Sequence, residues 1–197
     1  MKRNGLLWIA IGMLLMFYNF NINNVQLIPD AAGWLLILIG LAQLQSERPA
    51  FKTALLCGLP LLLSSTADWL LFFFSSDFSY PLPIRIILTG LHILFYFFLG
   101  KGIYELLEQQ QRNTQKAKLI FLGFGMKIAT LAWGWIAHIP LFVSLLLIPA
   151  LMVAFAISSM AIQVFLIVCI FVAWNVLRQN EKMAADVGAD DSVRPSL

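Results

Sequence analysis

The chain has 197 residues, 60% of them hydrophobic and only 12% charged, with a formal net charge of +3. Soluble domains carry about 45–50% apolar and about 25% charged residues, so this composition excludes an ordinary water-soluble globule and points to a chain whose solvent is mostly lipid. Its basic residues are scattered between apolar runs, which excludes nucleic acid as a partner, because that footprint needs Lys and Arg clustered on one face.

The first apolar run follows Met1-Lys2-Arg3-Asn4 and covers 5–20. It resembles the basic and apolar regions of a signal peptide. The small-x-small cleavage pattern is missing, since Tyr18-Asn19-Phe20-Asn21 follows, so the expectation is an uncleaved first helix that doubles as the targeting signal. Five more apolar segments reach or approach the length of about 20 residues that a span requires. With the first they give predicted helices at 5–20, 29–45, 53–74, 83–104, 117–137 and 150–177. Pro29, Pro81, Pro83, Pro140 and Pro149 fall at helix starts or in connections, where a missing N–H costs little. Pro60 alone lies inside a span and is expected to kink the third helix.

Residues 119–177 are almost without charge and could hold two spans or three. Charge placement decides. With six helices, one face collects Lys2, Arg3, Arg48, Lys52, Lys101, Arg112, Lys116, Lys118, Arg178, Lys182 and Arg194, and the other only Arg85. Cytoplasmic loops carry the excess of Lys and Arg. The fold class is therefore all-α: a polytopic bundle of six transmembrane helices with both termini cytoplasmic. Residues 139–148 become an apolar outer connector, re-entrant or interfacial. Residues 1–179 form a single transmembrane domain, and the polar stretch 180–197 a disordered cytoplasmic tail. Trp34, Trp69, Trp133 and Trp135 fall towards the outer helix ends and Trp8 and Trp174 towards the inner ends, as amphipathic rings at the headgroup levels would.

Lys127 lies about ten residues into the fifth span, roughly 15 Å deep at 1.5 Å per residue. A charge there costs about 2.5–3.5 kcal/mol or more, so it should face the bundle interior and find a partner. Gly123, Lys127, Thr130 and Gly134 share one helical face. In the fourth helix Arg85, Thr89, His92 and Tyr96 repeat that spacing. Ser64, Ser65 and Asp68 form a shorter polar face in the third, and Ser159 and Gln163 one in the sixth. The residues Asp68, Arg85, Thr89, His92, Lys127, Thr130, Ser159 and Gln163 thus define a candidate outward-facing polar pocket lined by helices three to six, with Asp68 paired to Lys127 or Arg85. The competing reading is that these groups only lock helices together, since interhelical hydrogen bonds average about 0.6 kcal/mol each.

The second signal is the loop from Asn19 into Leu27-Ile28-Pro29-Asp30-Ala31-Ala32-Gly33-Trp34. Pro29 pre-sets a helix start, Asp30 places a carboxylate at the positive end of the helix dipole, and Gly33 and Gly40 let a neighbouring helix approach closely. Asn21, Pro29, Asp30 and Gly33 mark this outer hairpin turn. The stretch resembles a helix-one/helix-two hairpin of uncharacterised small bacterial multi-pass membrane proteins, in which an Asn-containing loop leads into Leu-Pro-Asp, two apolar residues, Gly and an aromatic, and then a helix ending in Ile-Gly-Leu. Pro29, Asp30, Gly33, Trp34 and Ile39-Gly40-Leu41 match. Ile28, Ala31 and Ala32 depart from the pattern. The resemblance covers about residues 19–44 and implies a bacterial cell membrane location but no activity.

No HExxH motif, Gly-x-Ser-x-Gly elbow or Walker loop occurs, so neither catalysis, a metal nor a cofactor is expected. Cys57 and Cys169 lie in apolar runs and read as small buried hydrophobes. Glu105 and Glu108 read as surface carboxylates. Two functional classes follow. One is a small-solute transporter or permease, for which Asp68, Arg85 and Lys127 favour an anionic or zwitterionic solute. The other is a non-catalytic accessory or assembly protein acting through a membrane protein partner or a second copy of itself.

Overall fold

The computed structural model describes residues 4–18, 21–22, 25–26, 30–74, 80–108, 114–136 and 149–191. Six helices occur among them: α1 (Asn4–Tyr18), α2 (Asp30–Leu44), α3 (Pro49–Phe74), α4 (Leu82–Glu108), α5 (Thr114–Ile136) and α6 (Pro149–Asp191). Between α1 and α2, β1 (Asn21–Ile22) and β2 (Val25–Gln26) form a minimal antiparallel ladder that pairs Asn21 with Gln26 and Ile22 with Val25. The architecture is otherwise all-helical. The predicted connector at 139–148 lies outside the described residues.

Helix boundaries fall close to those expected, with two differences that have physical causes. Pro49, expected in a loop, begins α3, because the first helical position needs no N–H donor. The last helix does not stop near residue 177 but runs on to Asp191. Glu181, Lys182, Met183, Ala184 and Ala185 are strong helix formers and carry the helix past its apolar part. Helix α3 continues through Pro60.

Helices consecutive in the chain are neighbours in space, and α6 closes the ring by packing on α1, with a smaller contact to α4. The chain therefore runs up and down. One end of the bundle carries the β1–β2 hairpin, and the other carries the turn at residues 45–47, closed by Glu47 N–H on the Leu44 carbonyl at 2.9 Å.

The closest approach is between α1 and α2. A Cβ placed on Gly5 would sit 2.7 Å from the Gly40 carbonyl oxygen, and one on Gly12 would sit 2.5 Å from that of Gly33. The reverse pairs are equally tight. Two glycines seven apart on each helix, facing each other in antiparallel register, let the two backbones touch. The other junctions follow a coarser version of the rule: Gly58 receives Leu38, Gly102 receives Phe51, Gly100 receives Phe124 and Gly123 receives Phe165.

Packing is uneven along the bundle axis. The buried core of Leu6, Ile9, Met13, Ile37, Leu41, Phe51, Leu61, Phe95, Leu99, Ile103, Leu107, Phe124, Leu166 and Ile170 lies in the half away from the hairpin. Towards the hairpin end, residues 62–71 of α3, 82–94 of α4, 125–133 of α5 and 153–165 of α6 include no buried side chain. Among the described residues α3 to α6 pack closely at one end and more loosely at the other. Trp34 is an exception in that looser half. It is 2% exposed and stands edge-on to His92 at 5.0–5.5 Å and to Phe95 within the same span of distances. It is therefore a core anchor. Replacing Trp34 by Ala should lower stability by about 3–5 kcal/mol, the usual range for a buried aromatic, read as a fall in the unfolding midpoint.

Outward faces are apolar. Leu63 is 70% exposed, Ile157 62% and Ile87 61%. Among the described residues three helices, over Pro49–Leu71, Leu82–Glu108 and Val153–Gln179, are long and apolar enough to cross a membrane, and two apolar helices, Asn4–Phe17 and Asp30–Leu44, are shorter.

Candidate functional site

A cleft of about 590 Å³ opens in the loosely packed half, between α1, α4, α5 and α6. Its polar side chains are His92 and Tyr96 from α4, Lys127 from α5, and Ser159 and Gln163 from α6. Helices α4, α5 and α6 each contribute residues four apart, His92 and Tyr96, Lys127 and Leu131, and Ser159 and Gln163, which places both members of a pair on one face. Met16, Phe17, Leu131, Phe155, Ala156 and Met160 complete the wall.

Of the eight residues the sequence singled out, the structure brings His92, Lys127, Ser159 and Gln163 together. The other four lie elsewhere. Thr89 and Thr130 donate to their own helices, to the Arg85 carbonyl at 3.0 Å and the Lys127 carbonyl at 2.7 Å. Such back-bonding satisfies the hydroxyl without a ligand. Arg85 is exposed at the start of α4. Asp68 is exposed; its carboxylate is hydrogen-bonded to the Tyr80 hydroxyl, and Asp30 lies near enough for the two carboxylates to repel. Asp68 thus stands outside the cleft, against Tyr80. The reason is topological. Helices α3 and α5 flank α4 on opposite sides, so helix α1, not α3, supplies the fourth wall.

The Tyr80 hydroxyl is also 3.3 Å from the Ser64 carbonyl oxygen. Burial pushes the Tyr80 phenol up from its ordinary ionisation range, and the Asp68 charge and the Asp68 hydrogen bond add to it. Asp68→Asn removes both electrostatic contributions. Tyr80 should then ionise at lower pH than in the parent protein, visible as an earlier phenolate rise in a difference ultraviolet titration.

Inside the cleft, His92 Nδ1–H donates to the Leu88 carbonyl at 2.9 Å. A carbonyl only accepts, so the proton sits on Nδ1 and Nε2 is left for other partners. The Lys127 ammonium lies 5.8 Å from the centre of the Tyr96 ring, within reach of a cation–π attraction. Among the described residues no carboxylate lies within ion-pair distance of it. Its charge instead acts on His92. Tyr96 is buried and hydrogen-bonded to the Gln163 amide, while Gln163 Oε1 is buried without a partner. Turning the amide over would satisfy that oxygen from the Tyr96 hydroxyl and present the NH2 to the cleft.

Sequence reasoning placed Tyr96 on the right helical face but left it outside the pocket, although its position one turn from His92 was the available signal. It missed the α1 wall, because Met16 and Phe17 carry no polar mark. At the hairpin, Asn21 sits in the ladder, Asp30 is the first residue of α2, Gly33 packs on Gly12, and Pro29 lies outside the described residues. At the far end of the bundle, Tyr104 donates to Glu108 at 3.1 Å and Lys101 approaches Glu105 at 3.8 Å, an exposed pairing of little energetic weight. Among the described residues no group of three or more metal-ligating side chains occurs. No family model, curated protein or solved structure matches this chain.

Proposed function

We propose that this chain is a multi-pass membrane protein whose six helices cross the bilayer, with both termini cytoplasmic and the hairpin end outside, and that its cleft binds a small anionic or zwitterionic solute as a transporter or permease. The membrane reading is supported by the broad apolar surface of α3, α4 and α6, which water would oppose, and by the one-sided distribution of Lys and Arg. The hairpin loop's resemblance to small bacterial membrane proteins supports a bacterial cell membrane as its location.

The observation that carries the binding reading is Lys127. A half-buried ammonium at mid-depth of an apolar bundle has a ring and a histidine for company and, among the described residues, no carboxylate within reach. A purely structural charge would be paired. A site awaiting an anion would not. The test is reconstitution in proteoliposomes loaded with a panel of small carboxylates, amino acids and phosphate. Flux of at least one, absent from protein-free vesicles, is the expected result. Folded protein that moves none of them, and that co-purifies with a stable membrane partner, supports the accessory role instead.

A further inference from the structure

The lining of the cleft changes with depth, from polar at the bottom to apolar at the mouth. Tyr96, Lys127 and Gln163 are the members of their helices nearest the packed core. One turn nearer the hairpin end stand His92 and Ser159. Leu131 and Met160 share that level, and the outer level is apolar, formed by Phe17 and Phe155. From Gln163 to Phe155 is eight residues of α6, about 12 Å at 1.5 Å per residue. A cleft for a fully hydrated anion would be polar at its mouth, where the ion enters and first loses water. Among the described residues the mouth is apolar and the one lysine of the cleft lies at the bottom.

We infer that the cleft takes an anionic amphiphile, a molecule with one carboxylate- or phosphate-type head and an apolar body, seated head-down on Lys127. This rests on the binding reading above and names its ligand class. The head would be held by the Lys127 ammonium with the Ser159 hydroxyl and the Gln163 amide in support. The body would lie along Phe17, Leu131, Phe155 and Met160, where each methylene withdrawn from water adds affinity. The cleft volume of about 590 Å³ falls in the usual range for small-molecule sites, about 300–1,000 Å³. The head chemistry has two sources, a free fatty acid or an anionic membrane lipid.

The test is calorimetric titration of the full-length protein in phosphatidylcholine nanodiscs, with empty nanodiscs subtracted, using octanoate, acetate and inorganic phosphate. Octanoate should bind at least tenfold more tightly than either of the others. Lys127→Met and Phe155→Ser should each weaken it at least tenfold. Acetate or phosphate binding as tightly as octanoate, or octanoate binding unchanged in Lys127→Met, overturns the inference. Leu131→Ser is a second apolar-wall variant should Phe155→Ser fail to fold. Repeating the titration in nanodiscs containing phosphatidylglycerol separates the sources: weakened octanoate binding identifies the lipid as an occupant, and unchanged binding identifies the free acid. Octanoate binding without flux upholds the ligand class while overturning transport. Flux of hydrophilic anions without octanoate binding does the reverse.

Discussion

Lys127→Met is expected to give a protein that is more stable than the parent and no longer moves solute. The side chain keeps its length and loses its charge. If the ammonium serves a bound anion, its removal forfeits a charge-assisted hydrogen bond of about 1.5–3 kcal/mol, a loss of roughly 10- to 150-fold in binding or in transport efficiency. The same change relieves the empty protein of a charge that costs about 2.5–3.5 kcal/mol to hold at mid-bilayer, so the unfolding midpoint should rise. Stability and activity then move in opposite directions, as they do at sites where function keeps an unfavourable group in place. A charge that merely locked helices together would give the opposite signature, with both quantities falling. Parallel measurement of thermal unfolding and flux on the one variant distinguishes these outcomes.

The second large effect is expected at the α1–α2 contact. A side chain on Gly12 or Gly33 must enter space occupied by the facing backbone, and backbone cannot swing away as a side-chain tip can. Gly12→Ala should lower stability by about 1–3 kcal/mol, the usual cost of overpacking, and Gly12→Leu should prevent the hairpin from closing at all. Gly90 and Gly125 supply the control, since a Cβ on either meets nothing within 4 Å. Their replacement by Ala should be neutral or stabilising by about 1 kcal/mol at most, from helix propensity alone. Thermal unfolding of the four variants, read against the parent, checks the contrast. If Gly12→Ala proves as harmless as Gly90→Ala, the two helices do not touch as described.

The same residues explain what was legible in the sequence. Gly33 and Gly40 announced a close helix contact by their spacing, but their partners Gly5 and Gly12 only become meaningful once the antiparallel register pairs 5 with 40 and 12 with 33. Asp30, Gly33 and Trp34, which carry the resemblance to other small membrane proteins, now have separate physical duties: the start of α2, the backbone contact with α1, and the anchor against His92 and Phe95. Helical periodicity put His92, Lys127, Ser159 and Gln163 on inward faces, and all four line one cleft, because a polar group in an apolar helix has few alternatives. It did not say which helices are neighbours. Depth alone put Asp68 level with the pocket, whereas the ring order of the helices keeps α3 away from α5. The apolar mouth was invisible for a different reason. Met16, Phe17 and Phe155 look like any other lipid-facing or core residue until their shared cavity is seen.

The most direct test uses a single thiol in the cleft. Cys57 and Cys169 are replaced by Ala, Ser159 is replaced by Cys, and intact cells are treated with a membrane-impermeant, negatively charged thiol reagent. The arrangement predicts modification from the external side, slowed when Lys127→Met removes the attracting charge. Modification only from the cytoplasmic side, or only after denaturation, would contradict it.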